Sequence, residues 1–210
     1  MSENTSYPPR TARKPKGEGH ARRAEILSVA QDIFIENGYE GATIRKIAQA
    51  IGLSSTALYM HFPDKAAILN EICKQAFQTL IEGSHNLQEE AAPPEVRLRQ
   101  MLERYIAFGF DNPSAYRLTY MTLPLDPVNG PASDVMETGI ALYSEFTRAV
   151  EAVVEAGRMK GEVALLAQII WATAHGLVAL QLAKPYFDWV ERDRLVKGQL
   201  DALFRGLLEP

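Results

Sequence analysis

Side chains suited to catalysis are sparse in this chain. Its four histidines, His20, His61, His85 and His175, show no metal-ligand spacing, and there is no Gly-x-Ser-x-Gly elbow, His-Glu-x-x-His pair or phosphate-binding P-loop. No enzyme activity, metal or cofactor is therefore expected. Gly17 and Gly19 lie in a basic segment with no strand before them, so they form no nucleotide fingerprint. What remains is the chemistry of recognition. Thr43 stands where a hydroxyl and the free amides of a helix N-terminus can meet a phosphate, with the helix dipole favouring the negative charge. Arg45 is the only guanidinium between Thr43 and Lys65, and a guanidinium grips guanine through two parallel hydrogen bonds. Far along the chain, Trp171 and His175 are four residues apart and share a helix face. They read either as core residues or as the wall of a ligand pocket. Cys73, the single cysteine, sits on an apolar helix face and reads as a small core residue rather than a redox sensor.

Helices must hold these residues. Ile26, Ala30, Ile33 and Phe34 recur at helical spacing and stop at Asn37-Gly38, which predicts a helix over about 22–37. Thr43 can cap a second, over 44–51, that buries Ile44, Ile47, Ala48 and Ile51 and ends at Gly52. Ser54 can cap a third, over 55–61, with Leu58 and Phe62 inward, and Asp64 a fourth with Leu69, Ile72, Cys73, Ala76, Phe77 and Leu80 on one side. Two short helices around the tight turn Gly52-Leu53-Ser54 match a helix-turn-helix, whose second helix enters the major groove of DNA. Its exposed positions would be Ser55, Thr56, Ala57 and Met60. None of these makes a bidentate base contact, so Arg45 is expected to read a guanine while Thr56 and Ala57 touch thymine methyl groups. Helical patterns continue from Pro93-Pro94, from Asn112-Pro113, from Ser133 to Gly157, over 162–183 and over 188–208, with a Pro- and Gly-rich loop at 123–131. The fold is expected to be all-α: a basic, mobile arm at 1–21, a three-helix DNA-binding domain at 22–66, and a connecting helix into a helical domain at 67–210.

The 210 residues carry a formal net charge of −4, which alone argues against a nucleic-acid partner. The sum hides an asymmetry. Residues 1–75 carry 10 Lys and Arg against 8 Asp and Glu, whereas the rest carry 12 against 18. That split suggests an N-terminal part that meets polyanions and a C-terminal part with another task. A lone cysteine cannot form an internal disulfide, and the N-terminus has no apolar stretch of a secretory signal, so a cytoplasmic protein is expected. Between Glu162 and Lys184, 21 residues carry no formal charge and 16 of them are apolar, enough to cross a bilayer. Gln168, Thr173, His175 and Gln181 interrupt that stretch, and a core or subunit-interface helix has the same look. No membrane partner is expected.

The wording of the helix-turn-helix is more specific than its spacing. Thr43-Ile44-Arg45-Lys46-Ile47-Ala48, then Gly52-Leu53-Ser54, then Ala57-Leu58-Tyr59-Met60-His61-Phe62-Pro63-Asp64-Lys65 resembles the DNA-binding domain of the TetR family of transcriptional regulators. The likeness reaches back through Phe34 and Gly38-Tyr39 to cover roughly 22–75. It implies a regulator, usually a repressor, that binds a palindromic operator in double-stranded DNA as a homodimer and is released by a small-molecule effector. It also implies DNA-backbone contacts for Tyr59, His61 and Lys65, and a dimer bundle made from 162–183 and 188–208. Trp171-Ala172-Thr173-Ala174-His175-Gly176 is similar to the Trp-x-x-x-His-Gly signature of one C-terminal subfamily, which Asn112-Pro113 with Tyr116 and Arg117 also fits. An effector pocket would then draw on Tyr105, Phe108, Tyr116, Tyr120, Met121, Met136, Tyr143, Phe146, Trp171 and His175. Rings with polar tips and adaptable methionines suit a small, largely apolar or aromatic effector. The alternatives are a regulator controlled by a protein partner or acting as an activator, without a small-molecule effector. The basic arm would either stay solvated or add phosphate or minor-groove contacts.

Overall fold

Three short side chains set the starts of the helices in the N-terminal head, each by accepting a backbone N–H that the helix itself leaves unpaired. The Thr43 hydroxyl oxygen accepts from Lys46 N at 3.2 Å and opens α2 (Ile44–Ala50). Ser54 accepts from Ala57 N at 3.1 Å and opens α3 (Ser55–Tyr59). Asp64 accepts from Ala67 N at 2.7 Å beside the start of a long helix, Lys65–Gln88. The computed structural model describes residues 18–88, 91–121 and 134–209; of the arm expected over 1–21, residues 1–17 lie outside them, as does the loop at 123–131, whereas residues 18–21 belong to the first helix rather than to the arm. In chain order the helices are α1 (Glu18–Gly41), α2, α3, α4 (Lys65–Gln88), α5 (Pro94–Asp111), α6 (Pro113–Tyr116), a π-helical turn over Arg117–Met121, α7 (Asp134–Glu155), α8 (Val163–Ala183) and α9 (Arg192–Leu207). No strand occurs among the described residues, only an isolated bridge between Met159 and Leu208.

Where helix ends depart from expectation, local chemistry explains the shift. The run of α1 bends at Gly38, whose φ of 68° lies in the left-handed region, so the helix proper stops where Asn37-Gly38 predicts. Helix α3 is two residues shorter than 55–61. His61 N and Phe62 N both donate to the Leu58 carbonyl, at 2.9 and 3.1 Å, which tightens the last turn, and Pro63 then biases Phe62 out of the helical region. Helix α9 begins at Arg192 rather than 188 because both Glu191 carboxylate oxygens accept backbone N–H groups, from Asp193 at 2.9 Å and Arg194 at 2.8 Å. Those bonds hold the Glu191 carboxyl below its usual pKa. Residues 188–191 thus extend the largely exposed linker that begins at Lys184 instead of opening the helix.

Two hydrophobic cores result. Ile26, Phe34, Ile47, Leu58, Phe62, Ile68 and Ile72 close the head, and Leu98, Ile106, Tyr116, Val150, Ile170, Val178 and Leu200 belong to the body. Helix α4 serves both: Ile68, Leu69 and Ile72 belong to the head core, Ala76 and Leu80 to the body core. The short passage after α6 does the same over three residues. Tyr116 is buried in the body, Arg117 donates to the Leu182 carbonyl at 2.6 Å, and Leu118 is buried in the head. Helix α8 packs on α5 and α7. It is long and apolar enough to cross a membrane, but Ile170, Ala174 and Val178 are buried within the helical body while Leu165, Ile169 and Leu180 stay exposed.

Candidate nucleic-acid interface

The turn after α1 and the starts of α2, α3 and α4 surround an open cleft of about 400 Å³, lined by Glu40, Ala42, Thr43, Ile44, Arg45, Ser55, Tyr59 and Lys65. Five residues expected to meet DNA, Thr43, Arg45, Ser55, Tyr59 and Lys65, therefore share one surface. Arg45 is exposed and makes no hydrogen bond or ion pair among the described residues. Tyr59 is half exposed, Met60 almost wholly so, Thr56 is exposed, and Ser55, Ala57 and His61 are half-buried. Capping uses only the oxygen lone pairs of Thr43 and Ser54, so each O–H remains free to donate outward.

The other head cations are already engaged. Lys65 Nζ donates to the Tyr39 carbonyl at 2.8 Å, lies 4.1 Å from the centre of the Tyr39 ring, and stands 3.5 Å from the Glu40 carboxylate. Lys46 Nζ donates to Asn37 Oδ1 at 3.0 Å and to the Gly41 carbonyl at 2.8 Å, which ties α2 to the end of α1. Arg23 donates to the His61 carbonyl at 2.6 Å, stacks 4.2 Å over the Phe62 ring and approaches Glu71 at 3.6 Å. It thereby fastens the exit of α3 to both α1 and α4. Neither Arg23 nor Glu40 is singled out by the sequence reading, because both act through partners far apart in the chain or around a turn. The signal available in the sequence is the adjacent pair Arg22-Arg23 at the start of an apolar-periodic run.

In the body, a line of hydrogen bonds joins residues expected at an effector site. Tyr116 Oη lies 2.7 Å from His175 Nδ1 and 2.9 Å from Tyr105 Oη, and Trp171 Nε1 donates to Tyr105 Oη at 3.3 Å. Burial lowers the His175 pKa and raises those of Tyr105, Tyr116 and Tyr120, so all four are neutral near pH 7. Neutral His175 accepts from Tyr116 through Nδ1, Tyr116 accepts from Tyr105, and Tyr105 accepts from Trp171, a direction assigned from the network. The Tyr120 ring meets Tyr116 at 5.0 Å and Tyr105 at 5.7 Å between centroids, and Tyr143 meets Trp171 at 5.7 Å and Phe146 at 6.3 Å. Phe108 and Phe146 are buried in the body core, while Met121 and Met136 are exposed and outside the ring cluster. Gly109 was not foreseen. A Cβ there would lie 2.6 Å from Val178 Cγ1 and 3.0 Å from the Tyr116 ring, so only glycine lets α5, α8 and Tyr116 meet. A second open cleft, about 710 Å³, lies between Arg117 and residues 182–187.

Residues 26–72 match the sequence profile of bacterial regulatory proteins of the tetR family, and residues 98–203 that of the tetracyclin repressor-like C-terminal domain. The chain belongs to the TetR family. Among curated TetR-like relatives, it is 28% identical over 108 residues to the transcriptional activator FasR of Mycolicibacterium smegmatis, covering 51% of this chain and 48% of that protein. It is 31% identical over 83 residues to the transcriptional repressor KstR2 of Mycobacterium tuberculosis, 40% of this chain and 42% of the other. The nucleoid occlusion factor SlmA of Vibrio vulnificus is 32% identical over 98 residues, 46% of this chain and 50% of that one. The chain thus spans about half the length of the curated relatives it matches. The solved structure of KstR2 shares the TetR fold with a TM-score of 0.71 at 20% identity, covering 90% of this chain and 96% of the other.

Proposed function

We propose that the chain is a cytoplasmic TetR-type repressor that binds a palindromic operator in double-stranded DNA as a homodimer and lets go when a small effector binds its body. The cleft carries this reading: a guanidinium unpaired among the described residues, the hydroxyls of Thr43 and Ser55 and the exposed Tyr59 phenol are gathered on one face of a helix-turn-helix. Thr43, Ser54, Tyr59, His61 and Lys65 meet backbone, Arg45 reads guanine, and Ser55, Thr56, Ala57 and Met60 face the groove. Support for the dimer comes from α8 and α9. Leu165, Ile169 and Leu180 are exposed on α8, and Gly176 and Gly198 have open space where a second chain can approach. The effector reading rests on the neutral, aromatic surroundings of Tyr105, Tyr116, Trp171 and His175, and Trp171-x-x-x-His175-Gly176 supports placing the body in the Trp-x-x-x-His-Gly subfamily. A second reading, control by a protein partner or activation without an effector, draws on the same rings, which close upon one another and satisfy their own hydrogen bonds. In vitro selection of random duplex with the full chain tests the proposal. A two-fold symmetric site bound by two chains is expected, and the absence of an enriched site would end it.

A further inference from the structure

We propose that Glu40 limits how tightly the head takes DNA of any sequence, by competing with the DNA backbone for the Lys65 ammonium. This rests on the cleft being a backbone-contact surface. An ammonium has three donors, and in the free head one goes to the Tyr39 carbonyl while the Glu40 carboxylate stands at 3.5 Å from the same nitrogen. The Lys65 side chain is only 25% exposed, so it cannot swing away to find a phosphate elsewhere; the Glu40 side chain is 91% exposed, so it can be displaced. A second carboxylate stands close by, on Asp64, engaged in capping α4. Burial first, and then the Asp64 and Glu40 carboxylates, raise the Tyr39 phenol beside Lys65. Lys65 therefore faces the Glu40 carboxylate before any DNA arrives. A phosphate entering beside it competes with Glu40 for the ammonium.

Because every duplex presents phosphates, the competition acts on operator and unrelated DNA alike. Glu40→Gln keeps the size and hydrogen-bonding capacity of the side chain and removes its charge. With the full chain and a labelled duplex of mixed sequence, this variant is expected to bind about two- to fivefold more tightly per head at low salt. The slope of log K against log salt should steepen by up to about one per head, since Lys65 now displaces a counterion. The operator recovered by selection should gain by the same factor. Asp32→Asn, an exposed carboxylate of α1 outside the cleft, removes the same unit of net charge and should change little. If Glu40→Gln leaves affinity and slope unchanged while Arg45→Ala weakens binding, the competition is absent but the cleft still meets DNA. If Glu40→Gln, Arg45→Ala and Tyr59→Ala all leave binding unchanged, the cleft itself is the wrong surface. A gain confined to one sequence, or one matched by Asp32→Asn, also overturns the proposal.

Discussion

Arg45 and His175 show how differently two side chains of obvious chemistry can be placed. Arg45 is exposed in the cleft with its donors unspent among the described residues, so Arg45→Ala should cost about 1–3 kcal/mol of operator binding and relax the preference at one base pair per half-site. Binding measured across single-base operator variants checks this; an equal loss on every variant would make it a phosphate contact. His175 is turned inward, where burial holds its pKa below the ordinary 6.5. Below that ordinary value the unfolded chain takes up a proton that the folded chain resists, so stability should fall as the pH drops through this region. Protonated His175 would also lose the acceptor that Tyr116 uses. The melting temperature of the wild type should therefore fall more between about pH 7.5 and pH 5.5 than that of His175→Asn, and parallel curves would refute the assignment. Thr43, Ser54 and Arg45 were legible because capping and guanidinium chemistry are local properties. Glu40 and Arg23 were not, since their partners are brought to them by the fold.

Among the helices, most starts could be read from the sequence because Thr43, Ser54 and Asp64 each precede an apolar-periodic run. The start of α9 could not, since glutamate is an uncommon cap and nothing near 188 announces the exposed linker. The packing of α5 against α8 was also hidden. It depends on Gly109, which in the sequence is only a weak helix residue. Gly109→Ala would drive a methyl into Val178 and the Tyr116 ring and should destabilise the chain by about 1–3 kcal/mol. Denaturant unfolding should show a lower midpoint with an unchanged slope, and Val178→Ala in the same chain should return part of the loss. An unaltered midpoint would mean that α5 and α8 are not in close contact.

Across the whole molecule, the net charge of −4 is the average of a weakly basic head region and an acidic body. The structure sharpens this further: Arg23 and Lys46 bind the head to itself and Lys65 is shared with Tyr39 and Glu40, which leaves Arg45 as the cation of the cleft with no partner among the described residues. Ile169→Glu, on the exposed face of α8, should yield a folded monomer with little operator affinity, because one head lacks its partner half-site. Sedimentation together with circular dichroism checks this, and a stable dimer would move the interface elsewhere. Two bridges join head and body, α4 and the passage Tyr116-Arg117-Leu118, so a change at His175 has a contiguous path to the head core. Helix periodicity, caps and the wording of the helix-turn-helix are written in neighbouring residues, and the sequence by itself determined the all-α fold, the family and the face that carries Arg45. Which cations are free, which glycine is obligatory and how Tyr116 meets His175 depend on residues tens of positions apart. Only the tertiary structure decided these, because distance in space, not in sequence, sets the strength of an ion pair, a steric clash or a hydrogen bond.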